Sequence, residues 1–389
     1  MTMPARFCEA MKDLGGGRAD SPVLVKAPAR VNIIGEHADY NGGFVLPMST
    51  AIFTWVAASP RKDQRVRVKS HNVGETRSFE LNGIRHGETV SWIEYVKGVA
   101  AELADYGVKL HGADILIDSD IPLGGGLSSS ASLELGVAYA LLAIAGESVP
   151  TPELAMLCQR AERRYAGVQC GIMDQYTLAC AEEGNAILLD CRSLDVAQVP
   201  VPSNVSFILT DCGVRHSLPD GDFNERAREC ASAVKILARN APDIELLRDL
   251  QADVLEANKK ALGDVLYRRC RHVVTENKRV QRTVQALEDD DLQQLGSLLD
   301  ACHNSLREDF EVSCDELESL VTAANGSDGV YGSRMVGAGF GGCVLSVTDT
   351  GNVDDIAADI RANYRAISGN EPWQHIVEPA EPAQVVSDA

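Results

Sequence analysis

Short apolar runs dominate the first third of the chain. Residues 23–26, 31–34, 44–46, 52–57 and 65–69 are separated by Gly, Pro or polar clusters and predict β-strands. Val66 and Val68 alternate with charged neighbours, the pattern of a half-exposed strand, and 113–118 predicts another. The period then changes. Leu133, Val137, Leu141 and Ile144 fall on one helical stripe that stops at Gly146. Leu154, Leu157, Cys158, Ala161 and Tyr165 continue at helical spacing. Residues 186–209 return to strand-like patterns, 222–325 are dominated by helical periodicity, and 343–347 reads as a strand. Strand runs and helix runs are segregated, which predicts an α+β protein.

A chain of 389 residues exceeds one ordinary core and predicts two domains. Pro200 and Pro202 mark the junction, giving an N-terminal domain over 20–202 and a C-terminal domain over 203–375. The polar, proline-bearing end, 376–389, is expected to be disordered. A net charge of −20 argues against nucleic-acid and anionic-membrane partners. An anionic ligand therefore needs local help from backbone N–H groups or single basic residues. No apolar run approaches 18 residues, and the first residues lack the apolar core of a signal peptide. The eleven cysteines are scattered without a C-x-x-C pair, which points to reduced thiols in a cytoplasmic protein rather than zinc or disulfides. We expect a monomer.

Four stretches carry candidate chemistry. In RVNIIGEHADYNGGFVLP (30–47) an apolar run stops at Gly35 and delivers Glu36, His37, Asp39, Tyr40 and Asn41 before Gly42-Gly43 turns the chain back. A connecting turn needs far fewer polar side chains. Glu, His and Asp together suit a metal site, an acid–base set or the reading of a polar ligand. The metal reading fails, because adjacent Glu36 and His37 diverge on an extended backbone and no second histidine lies at i+4. In IPLGGGLSSSASLEL (121–135), three glycines permit close backbone approach and four serines place hydroxyls at a helix N-terminus, which favours an anion. A phosphate cradle or a serine-capped turn both satisfy this pattern; no Lys follows, so it is not a P-loop. GAGFGG (337–342) matches G-x-G-x-x-G, but a strand follows instead of a helix, so the dinucleotide reading fails. Close packing against a ligand or another loop, or a tight turn, remains. In QCGIMDQY (169–176), Asp174 sits in apolar surroundings where a carboxylate has a partner or a task. Glu162 is an exposed acid, or a metal ligand if it faces the serine loop.

Taken in order, these segments resemble the GHMP small-molecule kinases, and among them the galactokinases. RVNIIGEHADYNGG resembles the galactokinase signature, PLGGGLSSSAS the ATP-binding motif, and GAGFGG the third motif. CGIMDQ, VRHSL…FNERAREC (214–230) and RHVVTEN (271–277) are similar to further segments, so the resemblance spans roughly residues 22 to 350. It implies a ribosomal protein S5-like N-terminal domain and a ferredoxin-like C-terminal domain with the site between them. The implied reaction is Mg2+- and ATP-dependent phosphorylation of galactose at its anomeric hydroxyl. Asp174 would face that hydroxyl with Arg30 beside it. Glu36, His37, Asp39 and the Gly171 backbone would bind the sugar, with Phe223 nearby. Gly124, Gly125, Gly126, Leu127, Ser128, Ser129 and Ser130 would hold phosphates, and Ser130 and Glu162 would approach Mg2+. Phosphoryl transfer depends on positioning and on stabilising spread negative charge. Paired with Arg30, Asp174 would be a weak base, so we expect late proton removal; base-led transfer is the rival account.

Three positions depart from the family pattern. Ala29 stands where glycine is common, Ala38 where threonine is common, and Phe223 where tyrosine is usual. A lost tyrosine hydroxyl removes a hydrogen bond worth ~0.5–1.5 kcal/mol. That leaves open a related substrate such as N-acetylgalactosamine, arabinose or another aldose. A non-catalytic sugar and ATP sensor is the third reading; Ser130-Ala131, Asp174 and Arg30 speak against it.

Overall fold

The computed structural model describes residues 6, 7, 9, 22–122, 124–215, 221–239 and 241–386. The chain starts with β1 (Val23–Asn32), β2 (Phe44–Val45), β3 (Pro47–Pro60), β4 (Arg65–Ser70) and β5 (Glu75–Glu80). Helix α1 (Trp92–Tyr106) leads to β6 (Ala113–Ser119), then α2 (Ser129–Ala145), α3 (Thr151–Ala161) and α4 (Met173–Cys180). β7 (Asn185–Asp190) and β8 (Val196–Pro200) precede the second half. There β9 (Val205–Arg215) is followed by α5 (Gly221–Leu237), α6 (Ala252–Ala257), α7 (Lys259–Glu288), α8 (Leu292–Ser305) and α9 (Asp315–Asn325). β10 (Val330–Met335), β11 (Gly341–Asp349), α10 (Val353–Ser368), β12 (Trp373–Val377) and β13 (Gln384–Val386) complete it.

The first sheet has the order β13-β1-β3-β6-β4-β5, antiparallel except for the parallel pair β4–β6. Alternation sorts its side chains as a pleat requires. Val25, Ala27, Val56 and Ile115 face α2 in one apolar cluster, while Leu24, Phe53, Trp55 and Leu116 face the other way and pack with Phe7. β4 is half-exposed as its alternation predicts, with Val66 and Val68 fully buried. The α2 stripe ends where expected, at Gly146 with φ 66°. Residues 23–26 and 31–34 are not two strands: β1 runs through Pro28. A register shift between Pro28 and Ala29 absorbs the proline's missing donor.

The second sheet, β10-β11-β9-β12, is wholly antiparallel. With helices between β9 and β10 and between β11 and β12, this is the ferredoxin-like order 4-1-3-2. A small third sheet pairs β2, β7 and β8. The apolar core does not stop at the junction: Val31, Ile33, Leu46 and Met48 share one cluster with Leu209, Val280 and Leu345. Among the described residues ten cysteines are free thiols, and no helix is long and apolar enough to cross a membrane.

The expected disorder of 376–389 is corrected by the structure, apart from 387–389, which lie outside the described residues. β13 returns to the first sheet and pairs with Leu24–Lys26 of β1. Ala383 is buried and its N–H bonds Leu178 O, while Lys26 pairs with Glu381. Composition misleads here because an edge strand draws on backbone groups that any sequence carries. Truncation after Pro379 is expected to cost roughly 2 kcal/mol, read by calorimetry as a thermal midpoint several degrees lower. An unchanged midpoint would contradict this packing.

Candidate active site

A cleft of about 340 Å³ lies between the two large sheets. Arg30 lines it from the end of β1, Glu36, His37 and Asp39 from the segment after it, Gly124, Gly126, Leu127 and Ser128 from the loop before α2, and Ser129 and Ser130 from the first turn of α2. Glu162, Gly171, Asp174 and Phe223 complete the set. Of the residues to which the family resemblance gives a role, only Gly125 is not on its wall. Its carbonyl faces the third glycine loop instead, 3.2 Å from where a Cβ on Gly342 would sit.

That contact explains the glycines. A Cβ on Gly126 would lie 2.7 Å from Val336 O, and one on Gly337 would lie 2.7 Å from Gly126 Cα. The two loops meet backbone to backbone, and side chains would hold them apart. Of the readings left open for GAGFGG, packing against another loop is the one observed. Ser128, at φ 58°, turns the chain into α2, whose N-terminal residues Ser129 and Ser130 then face the cleft. Free N–H groups and the helix dipole would favour an anion here, in an otherwise acidic protein.

Arg30 is 4% exposed, and its charge is shared between two elements. Nε donates to Asp174 Oδ1 at 2.7 Å and Nη1 donates to Gly126 O, while its backbone N–H bonds Leu127 O. Ser128 Oγ donates to Asp174 Oδ2. The Asp174 carboxylate is thus fixed at both oxygens, yet a quarter of its side chain remains open to the cleft.

The polar crowd after β1 divides into two groups. Both oxygens of Glu36 are already engaged: Oε1 accepts from Arg334 and from Gly337 N, and Oε2 accepts from Asn32 Nδ2. His37 Nε2 faces Ala338 O, which can only accept, so Nε2 carries the proton and Nδ1 accepts from Tyr40 Oη. Burial, aided by repulsion from His272, pushes the His37 pKa down to about 3, so the ring stays neutral. Asp39 differs. Burial and the negative charge of Asp174 push its carboxyl up to about 6, and it lies against the Gly171 backbone. A Cβ at position 171 would fall 1.8 Å from Asp39 Oδ2. Phe223 sits edge-on to Tyr40, ring centroids 5.4 Å apart, and 5.7 Å from His37.

Glu162 opens a π-helical turn, a form common at functional sites. It is 5% exposed, and Ser130 hydrogen-bonds it. Burial and nearby Asp174 disfavour its ionisation. A hydroxyl beside a carboxylate is a hard oxygen donor pair, suited to Mg2+ shared with phosphates.

Sequence reasoning assigned no task to RHVVTEN. In the structure α7 uses it as a clamp on the polar loop. His272 Nε2 donates to Glu36 O at 3.0 Å, Glu276 Oε1 accepts from Gly35 N at 2.9 Å, and Asn277 Oδ1 accepts from Phe44 N at 2.8 Å. The signal was available: three polar residues at i, i+4 and i+5 share one helical face with Val273 and Val280. Also unanticipated is an apolar pocket of about 160 Å³, walled by Trp92, Tyr95 and Leu133, that adjoins the cleft at Ser129 and Ser130.

Comparison with known proteins decides the family. Residues 16–60 match the galactokinase galactose-binding signature, 94–182 the GHMP kinases N terminal domain, and 283–366 the GHMP kinases C terminal domain. The galactokinase of Chloroflexus aurantiacus is 42% identical over 348 residues, 90% of this chain and 89% of its own length. The chain belongs to the galactokinase family. The human galactokinase is 37% identical over 377 residues, 95% of this chain and 93% of its own. The crystal structure of Lactococcus lactis galactokinase complexed with galactose superposes with a TM-score of 0.93 at 34% identity, covering 98% and 99% of the two chains. Mevalonate kinase of Methanococcus jannaschii, at 18% identity and a TM-score of 0.66, shares the fold over 94% of this chain and 100% of its own. The two-domain GHMP kinase fold and membership of this kinase family therefore stand, with ATP as the co-substrate the family implies.

If α7 holds the polar loop in shape, Asn277→Ala leaves Phe44 N buried without a partner, a loss of ~1–3 kcal/mol. Steady-state kinetics should show a sugar KM raised several-fold with the ATP KM unchanged. Equal effects on both would contradict the clamp.

Proposed function

We propose that this protein transfers the γ-phosphoryl group of ATP to the anomeric hydroxyl of galactose, giving galactose 1-phosphate and ADP. The observation that carries the reading is Arg30, which bonds both the carboxylate at the sugar end and a carbonyl of the phosphate loop. Asp174 accepts the O1 hydroxyl and aims it in line with the phosphoryl group. With Oδ1 and Oδ2 already bonded to Arg30 and Ser128, the carboxylate serves first to position and only late to take the proton. Arg30 Nη2, which has no partner among the described residues, is left for a phosphoryl oxygen. Ser130 and Glu162 would hold Mg2+, whose charge would offset that of the phosphates. Asp39 with the Gly171 backbone reads sugar hydroxyls, while Glu36 and His37 chiefly hold the loop and have less left to offer. The pocket at Trp92 and Tyr95 takes the nucleobase. Strong likeness to galactokinases over most of the chain supports galactose.

Phe223 on the cleft wall favours testing a second substrate, N-acetylgalactosamine, because an apolar ring there withholds one hydroxyl contact. In a coupled assay with Mg-ATP we expect turnover of galactose well above N-acetylgalactosamine and glucose. Asp174→Ala should lower kcat by ~10³-fold or more with nucleotide binding retained. Strong turnover of another sugar without galactose would overturn the substrate, and full activity of Asp174→Ala the chemistry. Asp39 loses its charge as pH falls through about 6, whereas His37 stays neutral down to about 3. The galactose KM should therefore rise below about pH 6, and Asp39→Asn should abolish that rise. Persistence of the inflection in the variant would assign it elsewhere.

A further inference from the structure

We propose that Glu134 and Gln175 form a buried relay that positions Glu162, with Glu134 as the anchor. The inference rests on the reading of Ser130 and Glu162 as the Mg2+ donors. Gln175 follows Asp174 on α4, so one helical turn presents a carboxylate to the sugar and an amide to the metal side. Its Nε2 donates to Glu162 Oε2 at 2.7 Å and to Glu134 Oε2 at 2.9 Å. Glu134 and Gln175 are both wholly buried. The Cys170 thiol also bonds Glu162 Oε2, at 3.4 Å, so that oxygen is held from two sides.

An acid at position 134 demands a reason, because a leucine would fill the core at no desolvation cost. Gln175 is its hydrogen-bond partner, and the charged or titratable groups that face it are Glu162, Asp174, Cys158 and Cys170. No cation is among them. Burial and nearby Glu162 push the Glu134 carboxyl well above the usual range, which favours its neutral form. That suits an anchor here. A lysine or arginine holding Glu162 would compete with a divalent cation for the same carboxylate, whereas a neutral amide backed by a neutral acid fixes its direction and leaves its charge available. Glu134 Oε1 and Gln175 Oε1 have no hydrogen-bond partner among the described residues. The proton of Glu134 falls on that Oε1, since Oε2 accepts from Gln175.

The test is Mn2+ binding to the protein with ADP present, read as free Mn2+ by electron paramagnetic resonance, for the full chain and four variants. Glu134→Leu and Gln175→Leu should each weaken Mn2+ by about tenfold or more, the scale of lost outer-shell support, with the galactose KM unchanged. Glu134→Gln, which keeps a neutral donor and acceptor, should stay within about threefold of the parent. Parent-like Mn2+ affinity in both leucine variants overturns the relay, and so does a loss in Glu134→Gln as large as in Glu134→Leu. Should Glu134→Leu fail to fold, Gln175→Leu decides. Glu162→Ala separates the two layers: if it too binds Mn2+ like the parent, the metal reading itself fails, and if it alone loses Mn2+, only the relay does.

Discussion

A buried guanidinium must find partners, and Arg30 finds them in two separate elements. An unpaired charge at such a site costs several kcal/mol, so the fold is held to arrangements in which a carboxylate and a carbonyl reach it together. Asp174 of α4 supplies one and Gly126 of the glycine-serine loop before α2 the other. The end of β1, the loop before α2 and the start of α4 are thereby brought to one point, which is where a phosphoryl group and an acceptor hydroxyl would have to meet.

The second sheet closes the arrangement from the other side. Its glycine loop lies against the glycine-serine loop without side chains between them, and the buried Arg334 reaches across to Glu36 and to Asn32 O. From α7, His272, Glu276 and Asn277 grip the backbone of the polar loop at three points. A loop held this way is stiff before any ligand arrives, so little ordering cost would be left for binding. The density of polar residues between 36 and 41 reflects that stiffness in part, because Glu36, His37 and Asn41 all bond within the protein.

Much of this was legible from residue patterns. The alternation in β4, the stripe of α2 with its stop at Gly146, and the strand after GAGFGG are local properties, set by period and glycine placement. The collinear motifs marked the residues that line the cleft. What stayed hidden depends on partners remote in sequence. Pro28 looks like a strand break until a bulge accommodates it. Gln384–Val386 looks like a polar tail until β1 offers an edge. Nothing near Glu36 in the sequence announces Arg334 and Gly337, which engage it, nor does anything near His37 announce Ala338. Glu134 sits on the buried face of a helix stripe, where nothing in the sequence separates it from a solvent-facing acid.

The most direct measurement is a double-mutant cycle on kcat with Arg30→Ala, Asp174→Ala and the pair together. If Arg30 and Asp174 act as one unit, each single change removes most of the rate and the second adds little, a coupling of roughly 2–3 kcal/mol. Additive losses, with the double variant slower by the product of the two single effects, would show two independent groups and contradict the account.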